Sequence, residues 1–358
     1  MRILALSNEA TPNSDPDIRW GLSRLRDKGS VAEYEVYSTP ARVRELGPNG
    51  AALEVADLIR ESQPDTVIFC NSGSCRFTPS GVDRMRAASA SAVWFYSEGD
   101  AFAGWRIPYP RWALPTVSRC DAAALCSDGY MPRLLTQVGV KRVVYAPSWV
   151  NYERFSRSWQ ETNDFESDVV FIGNNVRSRV RRIPGARERA DLVSHLQRRY
   201  GSRLAIYGAG WKGIGARGRC SFSDVPEIYA RSRVAVGIDH VSGAFYFSNR
   251  LPIALASGVP LAQKSFIGRK EILPGMSCSQ FFDKVGSADR AIDWLLERSE
   301  HELRELSDRE RELAVSSLGC DAIIGYLLDV AGSLLAGSAG RAVSNPWLGS
   351  ASLLDGAS

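Results

Sequence analysis

The residues able to do chemistry in this chain cluster at the ends of short apolar runs. Val169-Val170-Phe171-Ile172 stops at Gly173-Asn174, with Arg177 close behind, and Leu204-Ala205-Ile206-Tyr207 stops at Gly208-Ala209-Gly210-Trp211-Lys212. A third stretch, Ser248-Asn249-Arg250, opens a helical run that closes on Ala256-Ser257-Gly258-Val259-Pro260. Glycine lets a ligand approach the backbone N–H groups, a helix start aims such groups outward, and arginine offers phosphate a two-pronged fork. These donors suit a diphosphate, and positive charge there lowers the barrier if the diphosphate is a leaving group. Asp239-His240 adds an ionisable pair at the end of the run Val234-Ala235-Val236-Gly237-Ile238. Proton acceptors stand elsewhere: Glu9 follows the first apolar run, and Glu98 and Asp100 lie in Tyr96-Ser97-Glu98-Gly99-Asp100. Any of the three can deprotonate a hydroxyl, and each is equally suited to capping a loop.

Plainer readings compete at two places. Gly208-x-Gly210-x-x-Gly213 has the spacing of a dinucleotide fingerprint. The fingerprint also needs a helix starting inside it and an acid about 20 residues on. Here Gly215 and Gly218 prolong the loop and Asp239 stands far downstream. The segment is therefore either a loop facing phosphate or base through Trp211 and Lys212, or a solvent turn with a packed tryptophan. Arg177 is either a phosphate ligand or the first of nine arginines between 177 and 203, where only Glu188 and Asp191 oppose them. That segment predicts a positive surface. His195 and His301 fall within helical periodicity beside charged residues and read as surface positions.

The positioning elements follow from the periodicity. Strands are predicted near 2–7, 31–38, 65–70, 92–96 and 121–126, with helices near 17–28 and 50–61. Strand and helix alternate again after the polar run 163–167, with strands near 168–173, 203–207, 233–238 and 259–263 and helices near 186–200, 224–231 and 248–257. Continuous apolar runs alternating with helices predict parallel sheets covered on both faces. Helical periodicity returns at 287–298, 301–316 and 320–335, and residues 98–115, rich in Trp, Tyr and Pro, read as a loop. The division predicted is a first α/β domain over 1–160, a second over 161–320, a helix over 321–336 and a mobile Gly/Ser/Ala tail over 337–358.

Composition narrows the classes. The 358 residues suffice for two domains, and 44% hydrophobic with 23% charged residues is the balance of a water-soluble globular protein. Seven cysteines without a C-x-x-C pair and three scattered histidines argue against disulfides, structural zinc and a bound transition metal, and leave a loosely held divalent ion open. The N-terminus turns polar too soon for a signal peptide, and no run of 18 apolar residues follows, so a cytoplasmic chain without a membrane span is expected.

In order and spacing, the segment Tyr145 to Phe155, the two strand-glycine turns and the helix ending in Gly258-Val259-Pro260 resemble the nucleotide-binding half of GT-B glycosyltransferases. The closest likeness is to the CgeB-like, group 1 transferases of bacteria and phages, and it covers roughly 140–330. The resemblance implies two Rossmann-like domains facing across a cleft, with the last helix crossing back to the first. It implies transfer of a sugar from a nucleotide-sugar co-substrate, a UDP-sugar first, to an unidentified hydroxyl acceptor, with no tightly bound cofactor. Gly173, Asn174, Arg177, Gly210, Trp211, Lys212, His240, Ser248, Asn249 and Arg250 then fall to the donor, and Glu9, Glu98 or Asp100 to the catalytic base. One position departs from the family, because Ile253 stands where a glutamate usually receives the ribose. Asn249, Arg250 or Glu271 supplies that contact, or the donor is unconventional. The arginine-rich segment keeps hydroxymethylated DNA open as an acceptor. An epimerase or hydrolase of sugar nucleotides and a non-catalytic binding protein are the other classes, and the oligomeric state is open.

Overall fold

A computed structural model describes residues 1–11, 16–89, 91–156, 165–176, 183, 185–337 and 343–348. The chain forms two compact units. The first comprises Met1–Gly104, Pro108–Pro147 and Cys320–Ser358, and the second Trp105–Ile107 and Ser148–Gly319. The chain therefore passes between units at Pro147 and returns at Cys320, whereas the sequence placed the first change at the polar run near 160.

The first unit holds β1 (Arg2–Ser7), β2 (Glu33–Ser38), β3 (Thr66–Cys70), β4 (Val93–Glu98), β5 (Ala122–Leu125) and β6 (Arg142–Tyr145). They make one parallel sheet in the order β2-β1-β3-β4-β5-β6. β3 and β4 are buried along their whole length, which is why they read as unbroken apolar runs rather than as alternation. Around the sheet lie α1 (Pro16–Asp27), α2 (Thr39–Ser62), α3 (Pro79–Ala88), α4 (Leu114–Val117) and α5 (Tyr130–Gln137). The helix expected over 50–61 is the second part of α2. Gly47, at φ 71° and ψ 168°, breaks α2 just before Pro48, so the earlier turns run in another direction.

The second unit holds β7 (Ser167–Ile172), β8 (Leu204–Tyr207), β9 (Ala216–Gly218), β10 (Ser232–Gly237), β11 (Leu261–Lys264) and β12 (Phe281–Phe282). Their order, again parallel throughout, is β12-β11-β10-β7-β8-β9. Its helices are α6 (Tyr152–Phe155), α7 (Ala186–Tyr200), α8 (Val225–Ala230), α9 (Arg250–Ser257), α10 (Arg269–Ile272), α11 (Ala288–Leu296) and α12 (Glu300–Ser317). The short β9 arises inside the glycine-rich stretch that read as loop.

The last helix, α13 (Cys320–Leu335), belongs to the first unit, as a crossover helix should. A Cβ at Gly21 would lie 2.8 Å from Ile324 Cδ1 and 3.1 Å from Cys320 Sγ, so α1 and α13 meet where α1 has no side chain. Lys28 Nζ adds an ion pair to Asp321 at 2.8 Å.

Part of the tail departs from the mobile segment expected over 337–358. Asn345 Nδ2 donates to the Tyr145 carbonyl at 2.9 Å and to the Tyr326 hydroxyl at 3.2 Å. Trp347 is 5% exposed, edge-on to Tyr145 and Tyr326 with centroids 6.5 and 5.3 Å away. Local composition there is that of a linker, but one tryptophan in an aromatic pocket offsets much of the cost of ordering a few residues.

Candidate functional site

The turns after β7 and β8 are sewn together by backbone and amide groups. Gly173 N–H donates to the Tyr207 carbonyl at 2.8 Å, Asn175 N–H to the Ala209 carbonyl at 2.8 Å, and Ala209 N–H to Asn174 Oδ1 at 2.8 Å. Gly208 has φ +139°, and a Cβ there would stand 2.2 Å from the Gly173 carbonyl oxygen. Gly208→Ala is thus expected to cost at least the 1–3 kcal/mol or so typical of such backbone strain. A urea midpoint unchanged from wild type would contradict this.

Trp211 locks the same junction. Its Nε1 donates to the Gly173 carbonyl at 2.5 Å, and its ring meets Phe171 edge-on at 5.9 Å. Of the two readings of this loop, the structure presents the packed tryptophan. Gly210, Trp211 and the exposed Lys212 do not line the cavity described next; the Lys212 carbonyl instead accepts from Gln197.

At the carboxyl ends of β7 and β8 lies a cavity of about 330 Å³. Gly173, Asn174, Asn249 and Arg250, all singled out from sequence, line it, with Arg219 adding a second cation. Arg250 opens α9; its Nη1 donates to Ser248 Oγ at 3.2 Å, and its Nε would be 3.6 Å from a Cβ at Gly173. A Cβ at Gly173 would also crowd the Phe171 ring, 3.2 Å away. Ile253, Phe222 and Tyr229 supply an apolar wall. No carboxylate lines the cavity among the described residues, so Ile253 has no acidic substitute there and Glu271 is not one. The exposed Phe222, with Arg219 in the same segment, was missed from sequence, its signal being an aromatic in a short polar run. Arg177 lies outside the described residues.

Ser248 and His240 sit beside this cavity rather than in its lining. Ser248 N–H donates to Asp239 Oδ1 at 3.0 Å. His240 is held neutral, its pKa lowered to about 4 by burial and by the charges of Arg189 and Arg250. Arg189 is 1% exposed; Nη1 donates to the Asn174 carbonyl at 3.2 Å and Nη2 to the Ile238 carbonyl at 2.9 Å, tying the ends of β7 and β10. Burial and the nearby Arg250 lower its pKa to about 10, which leaves it a cation at neutral pH.

Of the nine arginines of the basic segment, Arg177, Arg179, Arg181 and Arg182 lie outside the described residues, and the others do not share one positive face. Arg189 points inward, Arg199 pairs with Asp293 at 2.5 Å, Arg203 pairs with Asp168 at 2.7 Å, and Arg187 lies 3.7 Å from Asp191. Helical periodicity sends these arginines to different sides, and acids distant in sequence neutralise several.

Residues 181–329 match the glycosyl transferase-like family. The fold is that of solved transferases. Sucrose-phosphate synthase from Thermosynechococcus elongatus aligns at TM-score 0.62 and 13% identity over 94% of this chain and 100% of that one. A glycosyltransferase from Rickettsia africae aligns at 0.59 and 11% over 93% and 98%. Anabaena HepE, solved with UDP and glucose, aligns at 0.56 and 13% over 93% and 100%. The chain has the GT-B fold of these structures. No curated protein matches it by sequence alone. These likenesses do not single out a CgeB-like branch.

The three candidate bases lie in the first unit and differ in environment. Glu9 is buried, and its Oε2 accepts from Ser7 Oγ at 2.9 Å, Ser38 Oγ at 2.5 Å and Arg19 Nη2 at 2.8 Å. A carboxylate engaged by three donors serves the fold. Asp100 is exposed and its N–H donates to Glu98 Oε1 at 3.1 Å. Glu98 is 2% exposed, and burial lifts its pKa to about 7, suited to proton transfer near neutrality. No helix among the described residues is long and apolar enough to cross a membrane.

Proposed function

We propose that the cavity at the ends of β7 and β8 receives the nucleoside diphosphate of a UDP-sugar, with the diphosphate against Gly173 and Arg250 and with Arg219 as the second cation. The observation that supports this most is that Arg219 and Arg250 line, with Gly173 and Asn174, a cavity that has no carboxylate among the described residues. UDP is the first choice because the HepE structure, similar in fold, holds UDP and glucose. Asn249 and Arg250 are the ribose contacts of this reading, since both line the cavity and Ile253 cannot accept a hydrogen bond. The sugar passes to a hydroxyl acceptor, with Glu98 taking its proton. The donor is a co-substrate, no tightly bound cofactor takes part, and the cytoplasm is the compartment.

Calorimetric titration with UDP tests the donor half. Arg250→Met is expected to weaken binding about 10- to 150-fold, the equivalent of about 1.5–3 kcal/mol for a hydrogen bond to a charged group. No binding of UDP to the wild-type chain would remove the reading. A sugar-nucleotide epimerase would instead convert the donor with no acceptor present. DNA as acceptor loses its main argument, because the described arginines of the basic segment face several directions and are largely paired.

A second reading rests on the near-complete burial of Glu98. If Glu98 serves only the turn, the donor's own phosphate takes the proton and the sugar keeps its anomeric configuration. Product stereochemistry separates the two.

A further inference from the structure

Three stretches of chain converge on the cavity at the carboxyl ends of β7 and β8: the turn after β7, the loop after β8, and the start of α9. None of them carries an acid. Residues 169–187, 204–223 and 240–270 contain no Asp and no Glu, although the chain has 40 such residues. The acids that flank these stretches are engaged elsewhere. Asp224 accepts from Ser221 N–H at 2.8 Å and Asp239 from Ser248 N–H at 3.0 Å, while Glu188 pairs with Lys264 at 3.4 Å and Asp168 with Arg203 at 2.7 Å. Glu271 lies outside the lining.

The side-chain oxygens that do line the cavity are neutral. Asn174 Oδ1 already accepts from Ala209 N–H at 2.8 Å, and Ser221 Oγ is shared with Ser223 at 2.6 Å. That leaves the amide of Asn249 and the hydroxyls of Tyr207 and Tyr229, beside the apolar wall that holds Ile253 and Phe222. A ribose carries a vicinal pair of hydroxyls, and nucleotide sites that require it place an Asp or Glu to accept from it. Such a site rejects the analogue that lacks the hydroxyl, because its own buried group is left unpaired, whereas an apolar wall imposes no such penalty. A 2′-hydroxyl set against this wall loses its water and gains no charged acceptor.

We propose that this cavity does not select for the 2′-hydroxyl, so that 2′-deoxynucleoside diphosphates, and the sugars they carry, enter it as readily as UDP. The inference rests on the reading of the cavity as the donor site, and it adds which part of the nucleotide goes unread. Arg219 and Arg250 meet the diphosphate, which is the same in both nucleotide classes, and the charged hydrogen bonds there are the strong ones. Asn249 offers the ribose a neutral amide only. Because Asn249 is exposed, its amide returns to water when the 2′-hydroxyl is missing, and no buried group is orphaned.

Calorimetric titration of the full chain with UDP and with 2′-deoxy-UDP, which differ by that hydroxyl alone, tests this. The two dissociation constants are expected to agree within about ten-fold, the equivalent of about 1.4 kcal/mol. Arg250→Met is expected to weaken both nucleotides by the same factor, since both present the same diphosphate. Arg219→Met, on a different segment, repeats that comparison, and thermal midpoints check that each variant is folded. Binding of 2′-deoxy-UDP more than about ten-fold weaker than that of UDP overturns the inference alone, because the donor site then holds an acceptor that reads the ribose. If folded Arg250→Met and Arg219→Met weaken neither nucleotide, both bind elsewhere, and the donor reading falls together with the inference. Absence of UDP binding to the wild-type chain does the same.

Discussion

Glu98→Gln is expected to lower sugar transfer about 10²- to 10⁴-fold while leaving UDP affinity unchanged, because a positioned general base contributes about that much. Glutamine has the size of glutamate and still accepts from Ser72 N–H, but it cannot take a proton at neutral pH. The wild-type rate should rise with pH through a midpoint near 7, the value to which burial lifts this carboxyl. Base-assisted attack on the face opposite the leaving diphosphate inverts the anomeric centre, so product analysis should find inversion. The comparison variant is Glu9→Gln. It removes the charge from the acceptor of three donors, Ser7, Ser38 and Arg19, and should cost stability without moving the pH midpoint. Full transfer by Glu98→Gln with retained configuration would assign the proton to the donor phosphate.

Glu310→Gln is expected to remove a stability loss that grows with pH. Glu310 lies buried on α12, where Oε1 accepts from Gln280. Burial, the largest cause, pushes its pKa from 4.5 up to about 8, and the Gln280 donor only partly offsets that. The folded chain therefore holds a proton that the unfolded chain releases above its ordinary value. Stability from this site is complete below about pH 4.5 and is lost as pH rises towards 8. At 1.36 kcal/mol per pH unit the loss approaches about 5 kcal/mol. Because glutamine does not titrate, the difference in unfolding free energy between variant and wild type should widen in the variant's favour between pH 5 and pH 8.5. Urea midpoints at several pH values measure it. A difference that stays flat would mean Glu310 finds a cation or water that keeps it ionised.

Local pattern and distant contact divide the credit for what was legible in this protein. The buried runs of β3, β4, β7, β8 and β10 were read as strands because a strand covered on both faces must be apolar throughout. The turns at Gly173 and Gly208 and the helix starting at Arg250 were found because close backbone approach demands glycine and a helix start demands particular neighbours. These signals are local. They sufficed for two parallel α/β units and for four of the residues lining the cavity.

Tertiary structure decided the roles of side chains whose partners are remote in sequence. Trp211 faces Phe171 and the Gly173 carbonyl rather than the cavity. Arg189 turns inward to carbonyls at 174 and 238, and Arg199 meets acids near 290, so a basic stretch became separate structural contacts. Trp347 finds its aromatic pocket across a composition that looks disordered. Three carboxylates at strand ends were alike in sequence, and Arg19 with two serines around Glu9 and the apolar burial of Glu98 made them unlike. The sequence by itself determined the elements, because periodicity and glycine act within a few residues. Protonation and side-chain direction were decided only by the fold, because they depend on which charges and cavities distant parts of the chain bring within a few ångströms.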